Sequence, residues 1–102
     1  MTAEELREMA LKGERPAQMD LAIECLWLEA SGDWDGAHDI SESIPSPLGE
    51  NIHAYLHRQE GDYWNACYWY QRAGVKAPAE KADFNTEWLA LVEKALATSS
   101  QG

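Results

Sequence analysis

His53 and His57 stand four residues apart in the string Ile52-His53-Ala54-Tyr55-Leu56-His57-Arg58. On a helix that spacing puts both imidazoles on one face. His38 is the third histidine of the chain. Neutral imidazoles joined by a carboxylate suit a divalent metal such as zinc, with one position left open for water. Water on such an ion loses a proton near neutral pH and attacks an ester, amide or phosphate. The candidate ligands are His38, His53, His57 and Glu24. Ala54 follows His53, so the His-Glu-x-x-His pattern of helical zinc proteases is absent. A general base must come from elsewhere; Glu24 is the first candidate, with His57 as the second catalytic group. Asp39, Glu50 and Glu60 lie close enough in sequence to orient imidazole N–H groups. The alternative role for His53 and His57 is structural, as core or groove residues hydrogen-bonded to aromatic hydroxyls and carboxylates.

A second set of residues suits binding. Tyr63, Trp64, Tyr68, Trp69 and Tyr70 crowd one short segment. Trp64 and Tyr68 are again four apart, on an outer or groove face, where they can stack a ligand or a proline-rich peptide. With Asp39 they are the candidate ligand contacts. The same face can instead dock a neighbouring helix or a second copy of the chain, giving a homodimer.

These side chains need elements to carry them, and a repeated phrase supplies the plan. Gly32-Asp33-Trp34-Asp35-Gly36-Ala37 returns as Gly61-Asp62-Tyr63-Trp64-Asn65-Ala66. Repeated turn-plus-helix phrases build stacked helical hairpins. Thr2 with Glu5 forms a capping box for a first helix that Gly13 stops. Pro16 suits the first turn of a second helix, which runs to Gly32. Asp33 caps a third, carrying Ala37, Ile40 and Ile44 and ended by Pro45 and Pro47. A fourth runs from about Leu48 to Glu60, and a fifth from Asp62 to Ala73. Asp83 caps a sixth over about 84–97, with small polar residues fraying from Thr98. The expected fold is all-α, about six helices in stacked antiparallel hairpins, with turns at Ser31–Asp33 and Glu60–Asp62. The chain length fits one domain over 1–102, with the repeats over about 20–78.

Gly61, Tyr63, Ala66, Tyr70, Ala73 and Pro78, with Ala54 at the small position of the preceding helix, make this segment resemble a tetratricopeptide repeat. In the first copy Gly32, Trp34, Ala37 and Cys25 match, while Ser41 and Ile44 depart from the pattern. The resemblance implies a tetratricopeptide-like stack with a binding groove and speaks to fold alone. The string from Ile52 to Arg58, with Tyr68-Trp69-Tyr70 and Arg72-Ala73-Gly74, also looks like a family of small uncharacterised bacterial and fungal proteins, which implies no mechanism. Against the repeat pattern, His53 and His57 replace apolar positions, and the equivalent of His53 in the first copy is Glu24. Counting outward from the turns of antiparallel helices sets His38 level with about Leu56, and Glu24 level with about Ser41. Glu24, His38, His53 and His57 are therefore expected to share one patch.

The net charge of −10 repels phosphate backbones and anionic lipid, which argues against nucleic-acid and membrane-surface partners. No Lys or Arg lies between Arg15 and Arg58, and all three histidines fall in that acidic stretch. Such a field favours cations, and where it dominates it raises a histidine pKa. The acidic N-terminus is no signal peptide, and a cytoplasmic chain with reduced Cys25 and Cys67 is expected. The leading functional reading is a helical-repeat module that binds a peptide, protein or small ligand in an acidic, His-containing groove. The alternative is a small metal-dependent hydrolase built on the Glu/His cluster.

Overall fold

In the computed structural model, which describes residues 1–101, the chain forms six helices, with no strand among the described residues. They are α1 (Ala3–Lys12), α2 (Leu21–Ala30), α3 (Trp34–Ser41), α4 (Leu48–Gln59), α5 (Tyr63–Ala73) and α6 (Phe84–Gln101). Most starts are set by side-chain caps. The Thr2–Glu5 capping box forms as expected, and Asp20, Asp33 and Asp62 accept the backbone N–H three residues on. Asp83 does the same for Thr86 at 2.8 Å. Among the described residues no helix is long and apolar enough to cross a membrane.

Three boundaries differ from the sequence reading. α2 begins at Leu21 rather than near Pro16, because Asp20 supplies the cap. The residues before it form an irregular segment, fastened where Trp27 Nε1 donates to the Glu14 carbonyl at 2.9 Å. α3 ends at Ser41, and Ile44 packs from the loop that follows. α6 continues to Gln101 rather than stopping near Ala97, and Thr98 Oγ1 bonds back to the Lys94 carbonyl at 2.9 Å within it. The sequence reading expects fraying from Thr98; residues 98–101 lie within the helix instead, and Gly102 lies outside the described residues.

Two helical hairpins form the centre, α2–α3 and α4–α5, closed by turns at Gly32 and Gly61. Both glycines hold positive φ, +104° and +94°, as tight turns between antiparallel helices require. Across α2–α3, buried Cys25 faces Ala37 and its thiol donates to the Ala37 carbonyl at 3.1 Å. Across α4–α5, Ala54 and Ala66 are both fully buried. Small residues at these crossings let the paired helices approach closely. The main core joins Leu6, Leu26, Ile52, Leu56, Trp88, Leu91 and Val92, so α1 and α6 close over α2 and α4. Trp88 Nε1 donates to the Leu26 carbonyl at 2.9 Å. Arg58 anchors the link between α5 and α6. Its Nη1 donates to the carbonyls of Ala79, Glu80 and Ala82, and its Nε and Nη2 hold Glu87 at 3.1 and 2.8 Å. Tyr70 donates to the other Glu87 oxygen at 2.6 Å.

Candidate metal centre

The histidines meet at the seam between the two hairpins. Trp34 Nε1 donates to the Leu56 carbonyl at 3.0 Å, while Ser41, one end further along α3, contacts His53. α3 and α4 therefore run antiparallel, and His38 falls between His53 and His57. One ligand nitrogen from each of the three lies within 4.8 Å of the other two. Ring centres are 4.6 Å apart for His38–His53, 5.2 Å for His38–His57 and 4.6 Å for His53–His57. Aromatic residues cover the group. Trp34 stacks on His38 at 5.0 Å and meets His57 edge-on, and Trp69 of α5 lies 4.3 Å from the His53 ring. His53 and His57 are buried, at 7% and 8% exposed, and His38 is partly open.

The hydrogen bonds around the rings decide their protons. Ser41 Oγ lies 2.7 Å from the His38 carbonyl, which accepts only, so the hydroxyl proton goes there. His53 Nδ1, 3.0 Å from the same Oγ, must then be the donor. His57 Nδ1 lies 2.6 Å from a Glu60 carboxylate oxygen and donates to it. With both Nδ1 atoms protonated, the neutral rings carry bare lone pairs at Nε2. Those two Nε2 atoms face each other at 2.9 Å. Two lone pairs at that distance repel, and a metal ion between them would relieve the repulsion. A carboxylate behind one imidazole and a hydroxyl behind the other is the outer arrangement that metal-binding histidines use.

Burial pulls the His53 pKa down from 6.5 to about 4, helped by the positive charge His57 and His38 can carry and opposed by Glu50. At His53 desolvation outweighs the acidic field. A neutral ring is the form that binds metal.

The cluster opens into a cleft of about 580 Å³ that Glu42, Glu50, Asn65, Tyr68, Trp69 and Arg72 also line. His38, His53, His57 and Tyr68 are thus brought together. Glu24 is not, which corrects its assignment as ligand and general base. Neighbouring positions on a helix point about 100° apart. Cys25 takes the direction toward α3, and Glu24 turns instead to Arg15, whose Nη2 it holds at 2.8 Å. Arg15 is itself anchored over the Trp27 ring at 4.7 Å. Asp39, one position beyond His38, is exposed and does not line the cleft. Trp64 is 89% exposed and lies beside the cleft, on a shallow surface that shares Asn65 and Tyr68 with it. Of the three acids expected to orient imidazoles, Glu60 does so directly. A second acidic group, His57 with Glu60 and Asp62, shares His57 with the cluster.

Sequence reasoning did not assign Ser41, Trp34, Trp69 or Arg72 to the site. Ser41 did carry a signal, since it stands where the second repeat has Tyr70. Compared with family models, curated proteins and solved structures, the chain matches none.

Proposed function

We propose that this protein binds a divalent transition-metal ion, zinc or a close neighbour, through His38, His53 and His57, and presents the ion's open face to a small ligand in the cleft. The observation that carries this reading is the pair of Nε2 lone pairs at 2.9 Å with both Nδ1 protons committed elsewhere. Tetrahedral Zn–N bonds of about 2.0–2.1 Å set ligand nitrogens about 3.3–3.4 Å apart. A small opening of the two rings reaches that spacing, and His38 supplies the third nitrogen. Three histidines leave a fourth position for water or ligand, the arrangement of catalytic rather than structural zinc. Hydrolysis is the second reading, favoured by the acids on the cleft wall. Glu42 and Glu50 line the cleft, and in this reading one of them takes the general-base role first given to Glu24. The hairpin stack keeps the small-residue crossings of the tetratricopeptide pattern and serves as the frame. Cys25 and Cys67 are free thiols, which suits a cytoplasmic protein.

Metal analysis of protein purified without an affinity tag, followed by zinc titration of the chelated protein, tests the reading. About one ion per chain is expected, lost in His53→Ala. A chain that neither carries nor takes up zinc, cobalt or manganese overturns it.

A further inference from the structure

Arg72 stands on α5 at the wall of the same cleft. Its guanidinium lies 5.3 Å from the centre of the Trp69 ring, and that indole lies 4.3 Å from His53. Tyr68 steadies it, accepting from Nη1 at 3.0 Å. That bond leaves Nε and Nη2 as donors. The chain carries 18 acids against 8 Lys and Arg, yet Arg72 is in no ion pair among the described residues. A planar cation fork, stacked and held in place with donors to spare, matches an oxyanion.

The rest of the cleft narrows the ligand further. Glu42 and Glu50 also line it, so a compound with several acidic groups is repelled and one acidic group is the limit. Tyr68 is half exposed, and the surface it shares with Trp64 continues from the cleft. That ledge offers aromatic faces to a planar ring. We infer that the cleft takes a small aromatic oxyanion, its acidic group bridging Arg72 and the ion held by His38, His53 and His57, and its ring lying against Tyr68. This inference rests on the metal reading.

Cobalt(II) keeps the two apart. The chelated protein is first titrated with cobalt, whose visible bands report coordination. The cobalt-loaded protein is then titrated with benzoate, phenyl phosphate and acetate. Benzoate or phenyl phosphate should shift the bands, and which of the two binds more tightly tells whether the acid is a carboxylate or a phosphate. Benzoate should bind about five- to tenfold more tightly than acetate, which lacks the ring. Arg72→Gln should weaken the response about tenfold or more, with Arg72→Lys in between, while cobalt stoichiometry holds. Arg72 is exposed, so circular dichroism should be unchanged in both variants. Bands that bind cobalt yet ignore both aromatic anions, or that respond equally in Arg72→Gln, overturn this inference and leave the metal reading standing. Failure to bind cobalt at all overturns the metal reading and this inference with it.

Discussion

The α2–α3 and α4–α5 hairpins are built alike and used differently. Each is closed by a glycine of positive φ, and each second helix starts at a capping aspartate, Asp33 or Asp62. Each has a small buried pair at its crossing, Cys25 with Ala37 and Ala54 with Ala66. They part where side chains leave the hairpin. At one repeat position the first copy has Glu24, tied to Arg15, and the second has His53, turned into the seam. At another the first has Ser41, which reaches across to His53, and the second has Tyr70, which holds Glu87. Where the first has Glu29, bonded to Tyr55 and Gln59, the second has Arg58, which clamps the chain leading to α6. The shared positions make the fold. The unshared ones make the candidate site, which lies between the copies rather than within either.

The largest expected effect is at Arg58. Its side chain is fully buried against Glu87, and Arg58→Ala strands that carboxylate and three carbonyls. Removing one partner of a buried pair costs about 3–5 kcal/mol. Urea unfolding should show a loss of that order. Glu29→Ala, at the equivalent position, breaks two hydrogen bonds at a partly open site and should cost clearly less. Equal losses would mean that the two copies carry the same load and that Arg58 has no role that Glu29 lacks.

Zinc comes next. At free zinc about 100 times Kd, binding to the folded state alone stabilises it by about 2.7 kcal/mol. A thermal melt should show this in the native protein and not in His53→Ala. Glu60→Gln should keep the effect but weaken affinity about 10- to 100-fold, because the group behind His57 is lost. A Glu24→Gln variant should bind zinc like the native chain, since its carboxylate faces Arg15.

This contrast also explains what was legible. The turns, caps and hairpins follow from residues that act locally, such as Gly61 or Asp62, and local chemistry can be read along the chain. The pairing of His53 with His57 is likewise a matter of spacing on one helix. Adding His38 needed only the antiparallel order of α3 and α4. Glu24 was misplaced because level along a helix axis says nothing of direction around it, and a turn of about 100° sends it away. Arg72 and Trp69 reach the cleft through the packing of α5 on α4, which no local pattern encodes.

Acid should expose His53 in the metal-free protein. Its folded pKa, near 4, lies below the 6.5 of an unfolded chain. Between those values the unfolded state binds a proton that the folded state refuses, so stability falls as pH drops through that window and is regained above it. The groups facing the ring are His57 and His38, which deepen the effect, and Glu50, which opposes it. Denaturant midpoints between pH 7 and 4 should slope more steeply in the native chain than in His53→Gln. Parallel slopes would show that His53 titrates as an open imidazole, outside any desolvated seam.

The smallest effect is the one most sharply tied to the likeness of the hairpins. Gly32 and Gly61 hold φ of +104° and +94°, and a Cβ at either would meet nothing within 4 Å. Contacts therefore add nothing to the cost of Gly32→Val or Gly61→Val; only backbone strain does, at about 1 kcal/mol or more for a β-branched residue. The two substitutions should cost the same within about 0.5 kcal/mol and, with a Cβ at either position touching nothing within 4 Å, should add in the double variant. A much larger loss at Gly61 would show that its turn also sets the angle at which α4 offers His53 and His57. Zinc affinity would then fall with stability in that variant and not in Gly32→Val.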